Sequence, residues 1–196
     1  MTGAPPMTGA VPMTGAPPGT GPVLVLVGPP TSGKTTVGRA AAAALGVTFR
    51  DTDADVEATT GSRVADLFVD RGEAYFRELE EAAVATALAE HDGVLALGGG
   101  AVLSDSTRAL LVARGRAGGA VVWLDVDLAS AAKRVGLSRD RPILGVNPRA
   151  MLRHMLETRA PLYGEVATLS VATGRRRAAE VVAEVLAALP TKPAGR

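Results

Sequence analysis

One eight-residue stretch limits the folds open to this chain more than any other feature. Gly28-Pro29-Pro30-Thr31-Ser32-Gly33-Lys34-Thr35 fits G-x-x-x-x-G-K-[ST], directly after the apolar run Val23-Leu24-Val25-Leu26-Val27 and directly before a helical stretch. A continuous apolar run of that length, ended by Gly-Pro, reads as a fully buried strand of a parallel sheet. The spacing serves a chemical purpose, since such a loop wraps backbone N–H groups around an anion while the new helix adds its dipole and unsatisfied donors. Lys34 is expected to reach the β- and γ-phosphates of a nucleotide, and the Thr35 hydroxyl to hold Mg2+. Gly28, Ser32, Gly33 and Thr36 belong to the same nucleotide-binding stretch. No G-x-G-x-x-G follows the strand, which disfavours a dinucleotide fold.

The rest of the chain alternates in the way this opening requires. Short apolar runs recur at 47–50, 94–97, 120–124 and 167–172, and helical stretches are expected at 34–45, 73–89, 105–114, 127–135, 147–159 and 175–189. Strands alternating with helices of ten or so residues predict an α/β fold with helices on both faces of the sheet. Asn147 and Pro148 supply an N-cap and a first-turn proline, and Met151, Leu152, Met155 and Leu156 then form an apolar stripe that reads as core.

Composition closes off several functions. With 21 Lys plus Arg against 20 Asp plus Glu, and 3% aromatic residues, the chain lacks both the basic footprint and the stacking platforms of a nucleic-acid binder. The same balance gives no attraction to an acidic membrane, and no apolar run approaches the roughly 20 residues that span one. The absence of cysteine removes thiol nucleophiles, disulfides and cysteine-ligated zinc, and fits a reducing cytoplasm. Residues 1–18 are three near-copies of one hexamer, MTGAPP, MTGAVP and MTGAPP, with no charge before Lys34. Such a stretch has no face to bury, so 1–22 is expected to be a disordered tail, 23–189 one domain and 190–196 a second tail.

Further residues could carry chemistry at the carboxyl edge of the sheet. Asp51-Thr52-Asp53 ends the second expected strand, where an extended backbone would turn both carboxylates to one side, one for a metal and one for an acceptor hydroxyl; a helix N-terminus capped by Thr52 or Asp53 is the other reading. Gly98-Gly99-Gly100 ends another strand, where three residues without Cβ would let a ligand touch the backbone. Arg77 and Glu80 share a helix face, which as a bare charge pair reads as a solvated surface. The segment 136–147, with Arg139, Arg141 and Gly145 and no clear period, reads as a lid.

The combination resembles the shikimate kinases, small P-loop kinases of the nucleoside-monophosphate-kinase type, from about residue 23 to 189. The resemblance rests on Gly28 to Thr35, Asp51-Thr52-Asp53, Phe76-Arg77 with Glu80, the three glycines, Arg141-Pro142 and Arg159-Ala160-Pro161-Leu162-Tyr163. It implies a three-layer P-loop fold on a five-stranded parallel sheet, and transfer of the γ-phosphoryl of ATP to the 3-hydroxyl of shikimate with Mg2+. It further implies that Asp53 binds the acceptor hydroxyls and acts as base, that Asp51 lies near the metal, and that Arg77 and Arg159 hold the carboxylate beside Gly98, Gly99 and Gly100. Arg141 would meet the phosphates from the lid, with Arg134 and Arg176 on the adenine side. The chain is expected to work as a cytoplasmic monomer. It departs from the family pattern at Thr31, where many relatives have glycine, and at Ala178, where proline is common; His91 and His154 match nothing in it. A related kinase acting on gluconate, or a nucleotide-binding regulator without turnover, are the competing readings.

Overall fold

The computed structural model describes residues 21–136 and 147–189. Residues 1–20 of the expected tail 1–22, the expected tail 190–196, most of the expected lid, and Arg141 lie outside the described residues; Gly21 and Pro22, expected in the tail, are buried, with the Pro22 carbonyl accepting from Arg114. Five strands, β1 (Leu24–Val27), β2 (Phe49–Asp51), β3 (Val94–Ala96), β4 (Ala120–Asp125) and β5 (Leu169–Ala172), form one parallel sheet in the order β2-β3-β1-β4-β5. The helices are α1 (Lys34–Leu45), α2 (Thr52–Thr60), α3 (Val64–Asp70), α4 (Gly72–Glu90), α5 (Asp105–Arg116), α6 (Leu128–Arg134), α7 (Pro148–Val166) and α8 (Ala178–Ala187), with a 3-10 turn at Ala101–Leu103. This is the three-layer arrangement expected.

β1 occupies the centre of the sheet and is apolar on both sides. Leu24 and Leu26 pack toward α1 and α8, with Val37, Ala41, Val181 and Val185. Val25 and Val27 face the opposite layer, with Val84 of α4, Leu111 of α5 and Tyr163 of α7. Covered on both faces, all four residues are buried, which is why the sequence shows a run there and no alternation. A smaller cluster of Val56, Leu67 and Phe76 binds α2 and α3 to α4.

Several elements differ from expectation. The second strand begins at Phe49, two residues into the expected run 47–50, and extends one residue past it to Asp51, which is also the N-cap of α2, its carboxylate accepting from the Asp53 N–H at 3.1 Å. Neither Thr52 nor Asp53 is the cap. Helices α2 and α3 escape a periodicity reading because only Thr52 and Val56 of the first and Leu67 of the second are buried. The helix α7 runs seven residues past the expected end, through Pro161; Asn147 caps it by accepting from Ala150 N–H, and Tyr163 and Val166 anchor it beyond the proline. The stripe of Met151, Leu152, Met155 and Leu156 is not core. Met151 is 63% exposed and the other three are half-buried, since only the second half of α7 packs against the sheet. Among the described residues no helix is long and apolar enough to cross a membrane.

Candidate active site

The nucleotide cradle forms where β1 gives way to α1. Gly28 (φ 148°) and Gly33 (φ 100°) take backbone conformations that L side chains rarely adopt, and Gly33 caps α1. Thr31 takes φ 67° without being glycine, so a β-branched residue holds a left-handed position, and the Arg134 guanidinium braces it by donating to its carbonyl at 2.8 Å. The Ser32 hydroxyl is buried with no partner among the described residues. The Lys34 ammonium folds back on the loop and donates to the carbonyls of Gly28 (2.8 Å) and Pro29 (3.0 Å). Enclosure lowers it from 10.5 to about 8, although Asp53 and Asp51 pull the other way.

A cleft of about 590 Å³ opens over this cradle, and its walls include Ser32, Gly33, Lys34, Thr35 and Thr36 together with Asp51, Asp53, Gly99, Arg134 and Arg176. Asp51 and Asp53 share the cleft because the extended last residue of β2 passes directly into the first turn of α2. The Thr35 hydroxyl donates to the second Asp51 oxygen at 3.0 Å. Two hard oxygen donors side by side at the phosphate end suit Mg2+, an ion that keeps water and phosphate ligands and needs few from protein. Among the described residues no group of three or more acidic, histidine or cysteine side chains forms a denser metal cage. Burial raises the Asp53 carboxyl above the usual range, and the like charge of Asp51 adds to the effect against the opposing pull of Lys34. At the far end Arg134 donates to the Thr173 carbonyl at 2.7 Å, and Arg176 is held by Glu184 and by the Ala172 carbonyl.

Arg77 and Arg159, the arginines expected on the acceptor side, sit behind the glycine triplet, outside the walls of that cleft. Arg77 donates from Nη1 to Glu80 at 2.5 Å, and from Nε and Nη2 to Glu73 at 3.1 and 2.8 Å. The pair with Glu80 is no solvated surface: the Glu80 side chain is 4% exposed, and burial raises its carboxyl above the usual range although Arg77 opposes this. Phe68 and Phe76 flank the same guanidinium. Arg159 of α7 donates to the Gly99 carbonyl at 3.2 Å, and the Tyr163 hydroxyl donates to that same oxygen at 2.6 Å. The buried Thr52 hydroxyl accepts from the Gly98 N–H at 3.0 Å, tying the triplet to α2.

Sequence reasoning passed over Glu73, and named Thr52 and Tyr163 within motifs without giving either a role in the site. A carboxylate four residues before Arg77 is a signal that could have found Glu73; nothing in a linear sequence reveals that Thr52 and Tyr163 converge on the triplet from 46 and 64 positions away. His91 caps the end of α4 and stands apart from the site, as expected.

A phosphate cradle at the carboxyl edge of a parallel sheet, with paired carboxylates and half-buried arginines opposite, defines a P-loop kinase of small molecules. The family model described as shikimate kinase matches residues 30–190. A shikimate kinase of Salinispora tropica is 58% identical over 170 residues, 87% of this chain and 99% of its own length. The solved shikimate kinase of Acinetobacter baumannii, in complex with shikimate, is similar at 36% identity and a TM-score of 0.75, covering 85% of this chain and 90% of that one. A gluconokinase of Sinorhizobium meliloti is less similar, with 26% identity and a TM-score of 0.55 over 85% of this chain and 90% of that one. The chain belongs to the shikimate kinase family.

Proposed function

We propose that the chain transfers the γ-phosphoryl group of ATP to the 3-hydroxyl of shikimate, with the reaction centre between Lys34 and Asp53. The observation that carries this reading is the convergence on Gly99, whose residue borders the cradle at Pro30 and whose carbonyl holds Arg159. One strand end thus joins a nucleotide site to an arginine site for a carboxylate. Phosphoryl transfer asks the protein for positioning and charge stabilisation more than for covalent chemistry. Lys34 leaves its two carbonyls to meet the β- and γ-phosphates, and the cradle N–H groups from Gly28 to Thr36 hold the rest of the triphosphate.

Thr35 and Asp51 would hold Mg2+, which when bound neutralises charge on the transferring phosphate. Asp53 orients the acceptor hydroxyl and takes its proton, a role its raised basicity suits. Arg77 and Arg159 bind the acceptor carboxylate, for which a planar guanidinium offers paired donors. The N–H groups of Gly99 and Gly100 complete the acceptor pocket. Arg134 and Arg176 serve the adenine end, and Arg141 is assigned to the phosphates by family likeness alone. Every residue invoked comes from one chain, so the reading needs no partner subunit. Gluconate is disfavoured by Asp51-Thr52-Asp53 with Phe76-Arg77, and a regulator without turnover would need no acceptor-side set. A coupled ADP-release assay with shikimate, gluconate and nucleoside monophosphates side by side tests the proposal: shikimate alone should drive rapid release. Equal or faster release with gluconate overturns it.

A further inference from the structure

The three glycines after β3 are not required by their backbone. None of them has a positive φ, and Gly100 sits at φ −104°, ψ −5°, a conformation open to alanine. What they lack is room. A Cβ on Gly98 would fall 2.5 Å from Asp53 Oδ1 and nearer still to Glu80 Oε1; one on Gly100 would fall 2.5 Å from the Arg77 guanidinium carbon and 2.6 Å from its Nη2. On Gly99 it would meet Pro30 Cδ at 2.7 Å and Pro30 N at 3.0 Å. Real Cβ atoms essentially never approach another heavy atom so closely. The neighbours differ in kind. At Gly98 and Gly100 they are the free ends of side chains, whereas at Gly99 they include the backbone of the cradle.

We propose that Gly98 and Gly100 are positioning residues for phosphoryl transfer, Gly98 leaving the space in which the Asp53 and Glu80 carboxylates sit and Gly100 the space of the Arg77 guanidinium. The inference rests on the functional reading above and deepens it. A methyl group at Gly98 pushes the buried Glu80 and the half-buried Asp53 carboxylates off their places, and the hydroxyl-orienting group moves with them. At Gly100 it displaces the guanidinium, which already spends donors on Glu73 and Glu80. All three displaced groups are ends of long or rotatable side chains, so the fold accommodates the change while the site does not. At Gly99 the loop itself must shift, and there stability falls as well.

The test is steady-state kinetics and thermal unfolding of Gly98→Ala, Gly100→Ala and Arg77→Ala, with the double variant Arg77→Ala/Gly100→Ala. Gly98→Ala is expected to lower kcat at least about tenfold with the KM for ATP within about twofold. Gly100→Ala should raise the KM for shikimate at least about tenfold with the KM for ATP unchanged, and should add less than about twofold once Arg77 is already alanine, since its effect runs through that side chain. Both single glycine variants should melt within a few degrees of the wild type. Wild-type kinetics in both, equal losses in the two backgrounds, or collapse of the fold in Gly100→Ala overturns the inference. The unsubstituted chain in the same assay tests the underlying reading separately: without shikimate-dependent ADP release, that reading falls first.

Discussion

Lys34 faces two demands that one atom satisfies in turn. Its ammonium bonds to the Gly28 and Pro29 carbonyls, and enclosure lowers it to about 8, which leaves it charged at neutral pH. A polyphosphate provides the countercharge the cradle lacks. Replacing Lys34 by alanine removes that charge without disturbing the strand or the capped helix, so turnover should fall by more than about tenfold, over 1.4 kcal/mol of transition-state stabilisation. A coupled assay measures this directly. Arg159 is proposed to act at the other end, where it donates to the Gly99 carbonyl. A hydrogen bond to a charged group is worth about 1.5–3 kcal/mol, so Arg159→Ala should weaken shikimate binding roughly ten- to a hundredfold in calorimetry and leave ATP binding near the wild type. Arg159→Lys should recover only part of the loss, because an ammonium keeps the charge without the fork. Loss of ATP binding in place of shikimate binding would move Arg159 to the nucleotide side.

At the scale of elements, α7 shows where physical signals in a sequence end. Its start was legible because Asn147 and Pro148 are local devices, whereas its continuation through Pro161 depends on the burial of Tyr163 against Val121 and Leu97, residues distant in the chain. The helix α1 was legible to the residue and the strand β1 to within one, since an apolar run and a glycine loop each act within a few positions. α2 and α3 were not, because each buries too little to leave a period. The same distinction holds in the site: the cradle is one contiguous motif, but the burial of Glu80 and its closeness to Gly98 arise only from folding. Tyr163 gives α7 a measurable pH signature. Burial raises its phenol from 10.0 to about 12, so the folded chain keeps a proton that the unfolded chain releases. Stability from this group is therefore full below pH 10 and is lost between 10 and about 12, up to about 2–3 kcal/mol. Urea unfolding at about pH 9 and about pH 11 should show a steeper fall for the wild type than for Tyr163→Phe, which has no proton to lose. Parallel slopes would refute the burial of the phenol.

For the molecule as a whole, strand order decides which residues meet. With β1 between β3 and β4, the loops after β1, β2 and β3 open at the same sheet edge, and Lys34, Asp51 and Gly99 line one cleft although 65 positions separate the first from the last. Linkage gives this geometry a global readout. ATP with Mg2+ at about 100 times its Kd should stabilise the fold by about 2.7 kcal/mol, seen as a rise in Tm. The rise should largely vanish in Lys34→Ala. The central claim concerns the reaction itself, and phosphorus NMR of the purified chain with ATP, Mg2+ and shikimate tests it most directly. The account predicts one new phosphate-monoester resonance, coupled to the proton on carbon 3 of shikimate and growing in step with ADP. ADP appearing without that ester, or an ester on another hydroxyl, would contradict it.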